Sequence, residues 1–528
     1  MDGQRGMAGR RRFLGLTLAA AAAGACTRSP TPAPPETPPA PTPPVAPATS
    51  PEASSGASPT PTAAENALPG DADWRITAAG PPEAVEGYAD RVSALPGERV
   101  RLHVSTTAPA FRVSAYRMGW YGGARARLLW RSPPLPGERR PAATVDPRTR
   151  TVTTTWEPSA ELDTTGWPPG SYLLRLDAVD GQGQRYVPLT IRSAATAGTL
   201  VVVNAVGTWQ AYNRWGGHDL YDGPSGGLAT RSLEVGFDRP YLDDDGAGLF
   251  LVYEAPLIAL AERLGLPLSY ATGVDVHRRP GILDGAHAVL SPGHDEYWSP
   301  EQRAAVTAAR DAGTNLAVLG ANCCYRRVRY QPSPLGEDRI MACWKGDWAR
   351  DPGYLDGGPA TTDFRLGPGA DPESSLLGVL YDGYPVDAPY VVTAPGHWIF
   401  DGTGVAAGDS FEHLVGVEYD TVDAVRSFPR PLEIVSHSPV VCDGRRAHAD
   451  TAYYTHPSGA AVFACGTMRW VESLDAEGPA TPGVNHGLDG RTGALTRRVT
   501  ENVLRAFAAG PAAAARPAQD NVRGVYPD

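Results

Sequence analysis

The chain after Gly198 alternates continuous apolar runs with segments of helical periodicity, and this pattern constrains the fold more than any other feature. Apolar runs such as "TLVVVNAV" and "NLAVLG" are typical of strands buried on both faces. Between them, "SPEQRAAVTAARDAG" predicts a helix with Ser299 as N-cap, Pro300 at its first position and Gly313 at its end. Alternating strands and helices predict a parallel sheet with helices on both faces.

The preceding segment shows a different pattern, in which short alternating runs are broken by turn residues. Runs such as "ERVRLHVST", "FRVSAYRMG" and "GSYLLRLDAVD" each fit a half-buried strand. Their spacing predicts an immunoglobulin-like β-sandwich, although the Cys-Trp-Cys framework of antibody domains is missing. The predicted fold class is therefore such a sandwich over 71–195, followed by a flavodoxin/glutamine-amidotransferase-like parallel α/β domain over 196–510 and a flexible tail over 511–528.

The N-terminus carries an export pattern. Residues 10–14 read Arg-Arg-Arg-Phe-Leu, as in a twin-arginine signal, and the apolar stretch up to residue 25 is too short to span a membrane. Small residues lead directly to Cys26, which predicts a signal over 1–26 and acylation of that cysteine. The alternative is ordinary cleavage after Ala-x-Ala with an incidental cysteine.

A segment rich in Pro, Ala, Thr, Ser and Glu follows over residues 27–70. Such a composition cannot bury a core and predicts an extended, disordered stalk. We expect an extracytoplasmic protein that is anchored to the membrane through lipidated Cys26, or secreted if the lipid is absent. The net charge of −11 lacks the basic stripe of a nucleic-acid binder and excludes that class.

Polar and aromatic side chains follow three of the predicted buried strands. Tyr212 comes after "TLVVVNAV", His294 and Glu296 come after "AHAVLSP", and Asn322 comes after "NLAVLG". Tyr253 lies near the start of a further helical pattern, "GLFLVYEAPLIALAERLG". Because ligands bind at the carboxyl ends of strands in open α/β sheets, we expect these residues to form a site.

Four phrases in this region occur in a fixed order, namely "WQAYNRWGG", "FLVYEAP", "SPGHDEYWS" and "LGANCCYRR". In that order they resemble the C-terminal domain of the N,N-dimethylformamidase large subunit, and "SAYRMGWYGG" earlier in the chain is similar as well. The resemblance implies a mononuclear ferric ion held by Tyr212, Tyr253 and Glu296. Phenolate and carboxylate oxygens suit a hard cation, and three protein ligands leave room for water and a carbonyl oxygen.

The same resemblance implies hydrolysis of a C–N amide bond in an unknown, small amide substrate. His294 and Asn322 would hydrogen-bond the substrate and the intermediate. Glu418 in "VGVEYD" is the candidate general base toward the attacking water. The family enzyme works with a small subunit, and the sequence leaves open whether this chain has such a partner or forms a homo-oligomer.

Two other functions remain open from the residues alone. One is a Cys-dependent hydrolase in which Cys323 or Cys324 is the nucleophile and His294 the base, although the glycines of a nucleophile elbow are missing. The other is a non-catalytic surface protein that binds a ligand or a cell-envelope polymer. Outside the cytoplasm we also expect a disulfide among the five cysteines that follow the signal: Cys323, Cys324, Cys343, Cys442 and Cys465.

Overall fold

The computed structural model describes residues 59–179, 183–425, 427–476 and 486–527. The predicted signal, Cys26 and the linker as far as residue 58 lie outside the described residues. Residues Thr60–Asp528 form one compact unit. Its helices are α1 (Pro61–Asn66), α2 (Val206–Tyr212), α3 (Phe250–Tyr253), α4 (Ala255–Arg263), α5 (Gly273–Arg278), α6 (Pro300–Asp311), α7 (Pro352–Leu355), α8 (Ser374–Leu377), α9 (Trp470–Ser473), α10 (Gly490–Ala508) and α11 (Val522–Val525). Within the described ranges, no helix is both long and apolar enough to cross a membrane.

Strands are more numerous than helices. Before residue 198 they are β1 (Val85–Ala89), β2 (Ser93–Ala94), β3 (Arg99–Thr106), β4 (Ala110–Met118), β5 (Ala126–Arg131), β6 (Leu135–Pro136), β7 (Thr144–Val145), β8 (Val152–Thr153), β9 (Ala160–Asp163), β10 (Gly170–Val179) and β11 (Gln184–Ile191). After it they are β12 (Leu200–Asn204), β13 (Glu234–Gly236), β14 (Leu268–Thr272), β15 (Ala288–Gly293), β16 (Tyr297–Trp298), β17 (Asn315–Gly320), β18 (Arg326–Arg327), β19 (Arg329–Ser333), β20 (Gly336–Ala342), β21 (Leu380–Val391), β22 (Ser410–Thr421), β23 (Leu432–Cys442), β24 (Arg445–Thr455) and β25 (Ala461–Ala464).

Two sheets make up most of the part before Gly198. One has the order β1-β3-β9, and the other has the order β2-β11-β10-β4-β5 with β6 paired to β4. Leu102 on β3 and Leu174 on β10 belong to one buried core, so the two sheets pack face to face. The immunoglobulin likeness of this part stays a prediction.

A seven-stranded sheet forms the centre of the part after Gly198, in the order β14-β12-β15-β17-β25-β24-β23. The first five strands are parallel, and β24 and β23 run antiparallel to their neighbours. Val201 and Val202 on β12 enter different cores, one covered by α5 and α6 and the other by α4 and α10. Strands buried on both faces, with helices on both sides, are thus confirmed. The protein is mixed α/β, and its flavodoxin-like topology stays a prediction.

The predicted helices are present, with one difference. Helix α6 begins at Pro300 with Ser299 as its N-cap, as predicted. The pattern "GLFLVYEAPLIALAERLG" forms two helices, α3 and α4, with a break at Glu254, whose φ is −131°. The break follows from Pro256, which has no N–H to donate to the carbonyl of Val252.

Both predicted flexible borders of the folded part are shorter than the composition indicated. Residues 61–66, at the end of the predicted linker, form α1, and Asn66 Nδ2 donates a hydrogen bond to Glu262 at 2.7 Å. In the predicted tail, Asn521 accepts from the Ile434 amide at 2.7 Å. Partly buried hydrogen bonds to distant residues hold both segments, which local composition does not reveal.

A buried ion pair joins the two parts of the unit. Arg117 on β4 contacts Glu262 on α4 through two hydrogen bonds, of 2.6 and 2.9 Å. The two side chains are 3% and 0% exposed. Tyr270 on β14 donates to the same carboxylate at 2.5 Å. Removal of either charge would leave the other buried and unpaired.

We expect Arg117→Met to lower the free energy of unfolding by about 3–5 kcal/mol, the typical cost of breaking a buried ion pair. Chemical denaturation followed by circular dichroism measures this change. The control is Arg99→Met, because the pair of Arg99 with Glu161 lies on the surface and its loss should leave stability close to wild type. Equal effects of the two variants would contradict the structural role of Arg117.

An acidic turn over Asp243–Gly246 precedes α3 and is strained. Asp244 and Asp245 have positive φ angles of 46° and 53°, which are uncommon for residues other than glycine. Burial raises the pKa of Asp244 to about 7, and the neighbouring carboxylates of Asp243 and Asp245 contribute to this shift. The folded state therefore holds this proton more tightly than the unfolded chain does.

Since the pKa of Asp244 is raised on folding, its contribution to stability is lost as the pH rises through about 7. We expect Asp244→Asn to raise the thermal midpoint at about pH 8 and to have little effect at about pH 4. Asp146→Asn is the control, and its effect on stability should have the opposite sign. Hydrogen bonds from the backbone amides of Thr149 and Arg148 lower the pKa of Asp146, whereas the pKa of Asp244 is raised. That variant should lose stability at neutral pH only. If Asp244→Asn raised the thermal midpoint equally at every pH, the raised pKa of Asp244 would be contradicted.

Candidate functional site

The carboxyl ends of three adjacent parallel strands define the site. Strand β12 lies between β14 and β15, and β17 follows β15, so the loops after β12, β15 and β17 are neighbours. Helix α2, which follows β12, ends at Tyr212. His294 and Glu296 follow β15, and Asn322 follows β17. Strand β14 lies on one side of β12 and the next strand, β15, lies on the other, so the direction of the strand order reverses beside β12. Ligands bind at such points in open α/β sheets.

Tyr212 and Glu296 form the first contact of the site. The Tyr212 hydroxyl donates to Oε2 of Glu296 at 2.6 Å. His294 Nε2 lies 3.1 Å from the Tyr212 hydroxyl and 3.6 Å from Oε2 of Glu296. The Glu296 backbone is held in turn, because its amide donates to Oγ1 of Thr208 on α2 at 3.0 Å. A partly buried phenol therefore meets a buried imidazole and a buried carboxylate.

Tyr253 approaches the same histidine from the end of α3. Its ring centre lies 5.9 Å from that of His294, and the Tyr212 ring centre lies 5.3 Å from it. Gly293 makes this approach possible, since its φ is +46° and a Cβ there would lie 2.5 Å from the Tyr253 carbonyl oxygen. Burial raises the pKa of the Tyr253 hydroxyl well above its usual value, with smaller contributions from Glu472 and Glu418.

Glu418 and Asn322 form a second pair on the other side of His294. Asn322 Nδ2 donates to Oε2 of Glu418 at 2.7 Å, and that oxygen lies 3.9 Å from His294 Nδ1. Asn322 has a φ of +57°, a conformation that asparagine tolerates better than most residues. The backbone amide of Asn322 donates to Oδ1 of Asp420 at 2.8 Å, which supports this conformation. The structure thus brings all six predicted site residues into one cluster centred on His294.

Four further residues surround this cluster, and the sequence reading did not single them out. The Tyr221 hydroxyl lies 2.8 Å from Oε2 of Glu296, and Tyr297 donates to Tyr221 at 2.6 Å. Arg326 Nε lies 3.3 Å from Oε1 of Glu296. Lys345 lies over the Tyr221 ring. Tyr297 and Arg326 lie inside the quoted phrases. Tyr221 lies in a loop and Lys345 begins a short 3-10 helix, and neither segment carries a periodic signal.

The donor set suits a hard cation. Two oxygens that each bind one cation at about 2.0–2.2 Å, at nearly a right angle, lie roughly 3 Å from each other. The Tyr212 hydroxyl and Oε2 of Glu296 are 2.6 Å apart, which is close to that separation. Nδ1 of His294 and Oδ1 of Asn322 are buried and have no hydrogen-bond partner among the residues that the structure describes. Such atoms are uncommon unless a further group contacts them. Among the described residues, no group of three or more His, Cys, Asp or Glu could hold a metal ion.

The expected disulfide is wrong for this structure. All five cysteines after residue 58 are free and buried. Burial raises the pKa of Cys324 to about 12, and it raises the pKa of Cys323 well above its usual value. A thiol that stays protonated is a poor nucleophile, so the burial of Cys323 and Cys324 argues against the Cys-dependent hydrolase.

The fold and this site define a mixed α/β protein with a buried cluster of phenols and carboxylates at the carboxyl edge of a parallel sheet. Residues 112–485, well over half of the chain, match the family described as N,N-dimethylformamidase beta subunit-like, C-terminal. The chain belongs to this family, which confirms the resemblance inferred from the four phrases. The match begins on β4 and so includes Arg117 and "SAYRMGWYGG". No curated protein matches the chain.

We expect the five thiols to be unreactive toward a thiol reagent in the native protein at about pH 8, because all are buried and protonated. In denaturant without reductant, a Cys26→Ser variant should titrate five thiols. Fewer than five would show a disulfide. Rapid reaction of Cys323 or Cys324 in the native protein would instead revive the thiol nucleophile.

Proposed function

We propose that this protein is an exported amidohydrolase that hydrolyses a C–N amide bond of a small, unidentified amide. The family supports amidohydrolase chemistry in general. The observation that carries the finer proposal is the convergence of Tyr212, Tyr253 and Glu296 around His294. These three side chains would hold one ferric ion through phenolate and carboxylate oxygens. When bound, the ion supplies Lewis-acid polarisation of the amide carbonyl or a lowered pKa for water.

The protein's own groups divide the remaining work. Glu418 is proposed to accept the proton of the attacking water as the water oxygen bonds to the carbonyl carbon. Asn322 orients Glu418 through the 2.7 Å hydrogen bond and keeps Oδ1 available for the N–H of an amide. As the C–N bond breaks, Glu418 returns the proton to the leaving nitrogen.

His294 connects the two halves of this arrangement. Its Nε2 faces Tyr212 and Glu296, and its Nδ1 faces Glu418. An N–H at Nδ1 can donate to the oxygen on which negative charge develops, as in other acyl-transfer sites. Because the ring is buried, it does so without competition from bulk water.

The location of the protein is a separate part of the proposal and rests on the sequence. The twin-arginine pattern and Cys26 support export and attachment to a membrane by a lipid, and the Pro-rich segment supports a stalk. Twin-arginine export carries folded proteins, so a metal could be inserted before export.

We expect protein produced with iron to bind one ferric ion per chain and to absorb visible light, since phenolate-to-iron charge transfer is coloured. Tyr212→Phe and Tyr253→Phe should each weaken or abolish the band, measured by absorption and metal analysis. Glu418→Gln should keep the iron and lower kcat for amide hydrolysis by about 10²–10⁴-fold, the usual contribution of a general base.

The matched control is Tyr330→Phe, which removes a buried hydroxyl outside the cluster. This variant should retain both the iron and the band. A colourless wild-type protein without stoichiometric iron would contradict the metal site and leave a non-catalytic binding protein as the better interpretation. An unaltered kcat in Glu418→Gln would remove Glu418 from the reaction but leave the metal site standing.

A further inference from the structure

Tyr221 contacts both members of the proposed ligand pair at once. Its hydroxyl lies 2.9 Å from the Tyr212 hydroxyl and within 2.9 Å of both carboxylate oxygens of Glu296. Its ring stacks on the Tyr212 ring, with centres 4.6 Å apart and planes inclined by 26°. A displacement of Tyr221 would therefore move two proposed ligands together.

Lys345 also contacts the Tyr221 ring. The Lys345 ammonium lies 3.3 Å from the ring centre and donates to the Leu220 carbonyl at 2.8 Å. The residue is only 5% exposed and has a left-handed φ of +55°. A buried ammonium is costly unless it is compensated, and here the ring face and a carbonyl contact it.

Two more contacts restrict the Tyr221 side chain. The Tyr221 amide donates to Oδ1 of Asp219 at 2.7 Å, which fixes the turn that carries it. Tyr297 donates to the Tyr221 hydroxyl at 2.6 Å. Because that hydroxyl accepts from Tyr297, its own proton is left for the Tyr212 hydroxyl or the Glu296 carboxylate. The orientation of Glu296 thus follows from groups that would not touch the metal.

We propose that Tyr221, held between Lys345 and Tyr297, is a positioning residue that orients Tyr212 and Glu296 toward a shared hard cation. The inference rests on the proposed function, since it assigns these two residues as ligands. Hydrogen-bond partners behind metal ligands fix the orientation and basicity of those ligands, and their loss typically weakens metal binding by about 10–100-fold.

The test compares iron binding by the full-length wild-type protein and by Tyr221→Phe, which keeps the ring and removes the hydroxyl. Competition with a chelator should show iron affinity reduced by about 10–100-fold. The visible band of the iron that remains bound should move, because Glu296 and Tyr212 lose a hydrogen bond. The thermal midpoint of the metal-free protein should stay near the wild-type value.

Tyr454→Phe is the matched control, because it removes a buried hydroxyl that donates to the Leu376 carbonyl at 2.6 Å, on the other face of the sheet. It should change neither the affinity nor the band. Lys345→Met should weaken iron binding in the same direction as Tyr221→Phe. Lys345→Arg, which keeps a cation over the ring, should restore it at least in part.

The outcomes separate the two ideas. A wild-type protein that binds no iron overturns both the proposed function and this inference. A wild type that binds coloured iron, with Tyr221→Phe indistinguishable from it in affinity and band, overturns the inference alone. Equal losses in Tyr221→Phe and Tyr454→Phe also overturn it, since the effect would then come from general destabilisation.

Discussion

The buried ion pair between Arg117 and Glu262 is the interaction on which the arrangement of this molecule depends. It fixes the end of α4 to the strands that precede Gly198. The opposite end is held by Glu254, which accepts from Asn204 at 2.5 Å and lies next to Tyr253. Asn204 in turn accepts from two side chains of the first part, Ser171 and Thr190. Since both ends of α4 are tied to those strands, the strands help to hold Tyr253, a residue of the candidate site, in place.

The burial of several acidic side chains determines the electrostatics of the site. Glu296 and Glu418 are buried within one cluster, and burial raises the pKa of the adjacent Asp420 to about 8 and that of Asp295 to about 7. Grouping so many acids away from water is unfavourable unless hydrogen bonds or positive charge compensate. Arg326 supplies part of that charge. A hard cation bound to the phenols and the carboxylate would supply the rest.

The limits of the sequence reading have physical causes. The apolar pattern predicted the buried strands and α6 because burial there follows the spacing along the chain, continuously in the strands and with a helical period in α6. It did not predict that residues 61–66 form a helix or that the cysteines are free, because both depend on which distant residues come together in the fold. The break at Glu254 has a local cause, Pro256, which the apolar periodicity does not register. An extracytoplasmic setting favours disulfides in general, whereas pairing requires that two sulfurs come close together.

The sequence by itself determined the family, the parallel α/β pattern and the six residues proposed to carry the chemistry. Each of these depends on a short motif or on the spacing of apolar residues within one segment of the chain. Four phrases in order were enough to identify the family. Only the tertiary structure decided how the other five residues meet around His294, and that Tyr221 and Lys345 lie behind them. Loops after three strands become neighbours only when the sheet has formed, so their contacts cannot be read from spacing along the chain.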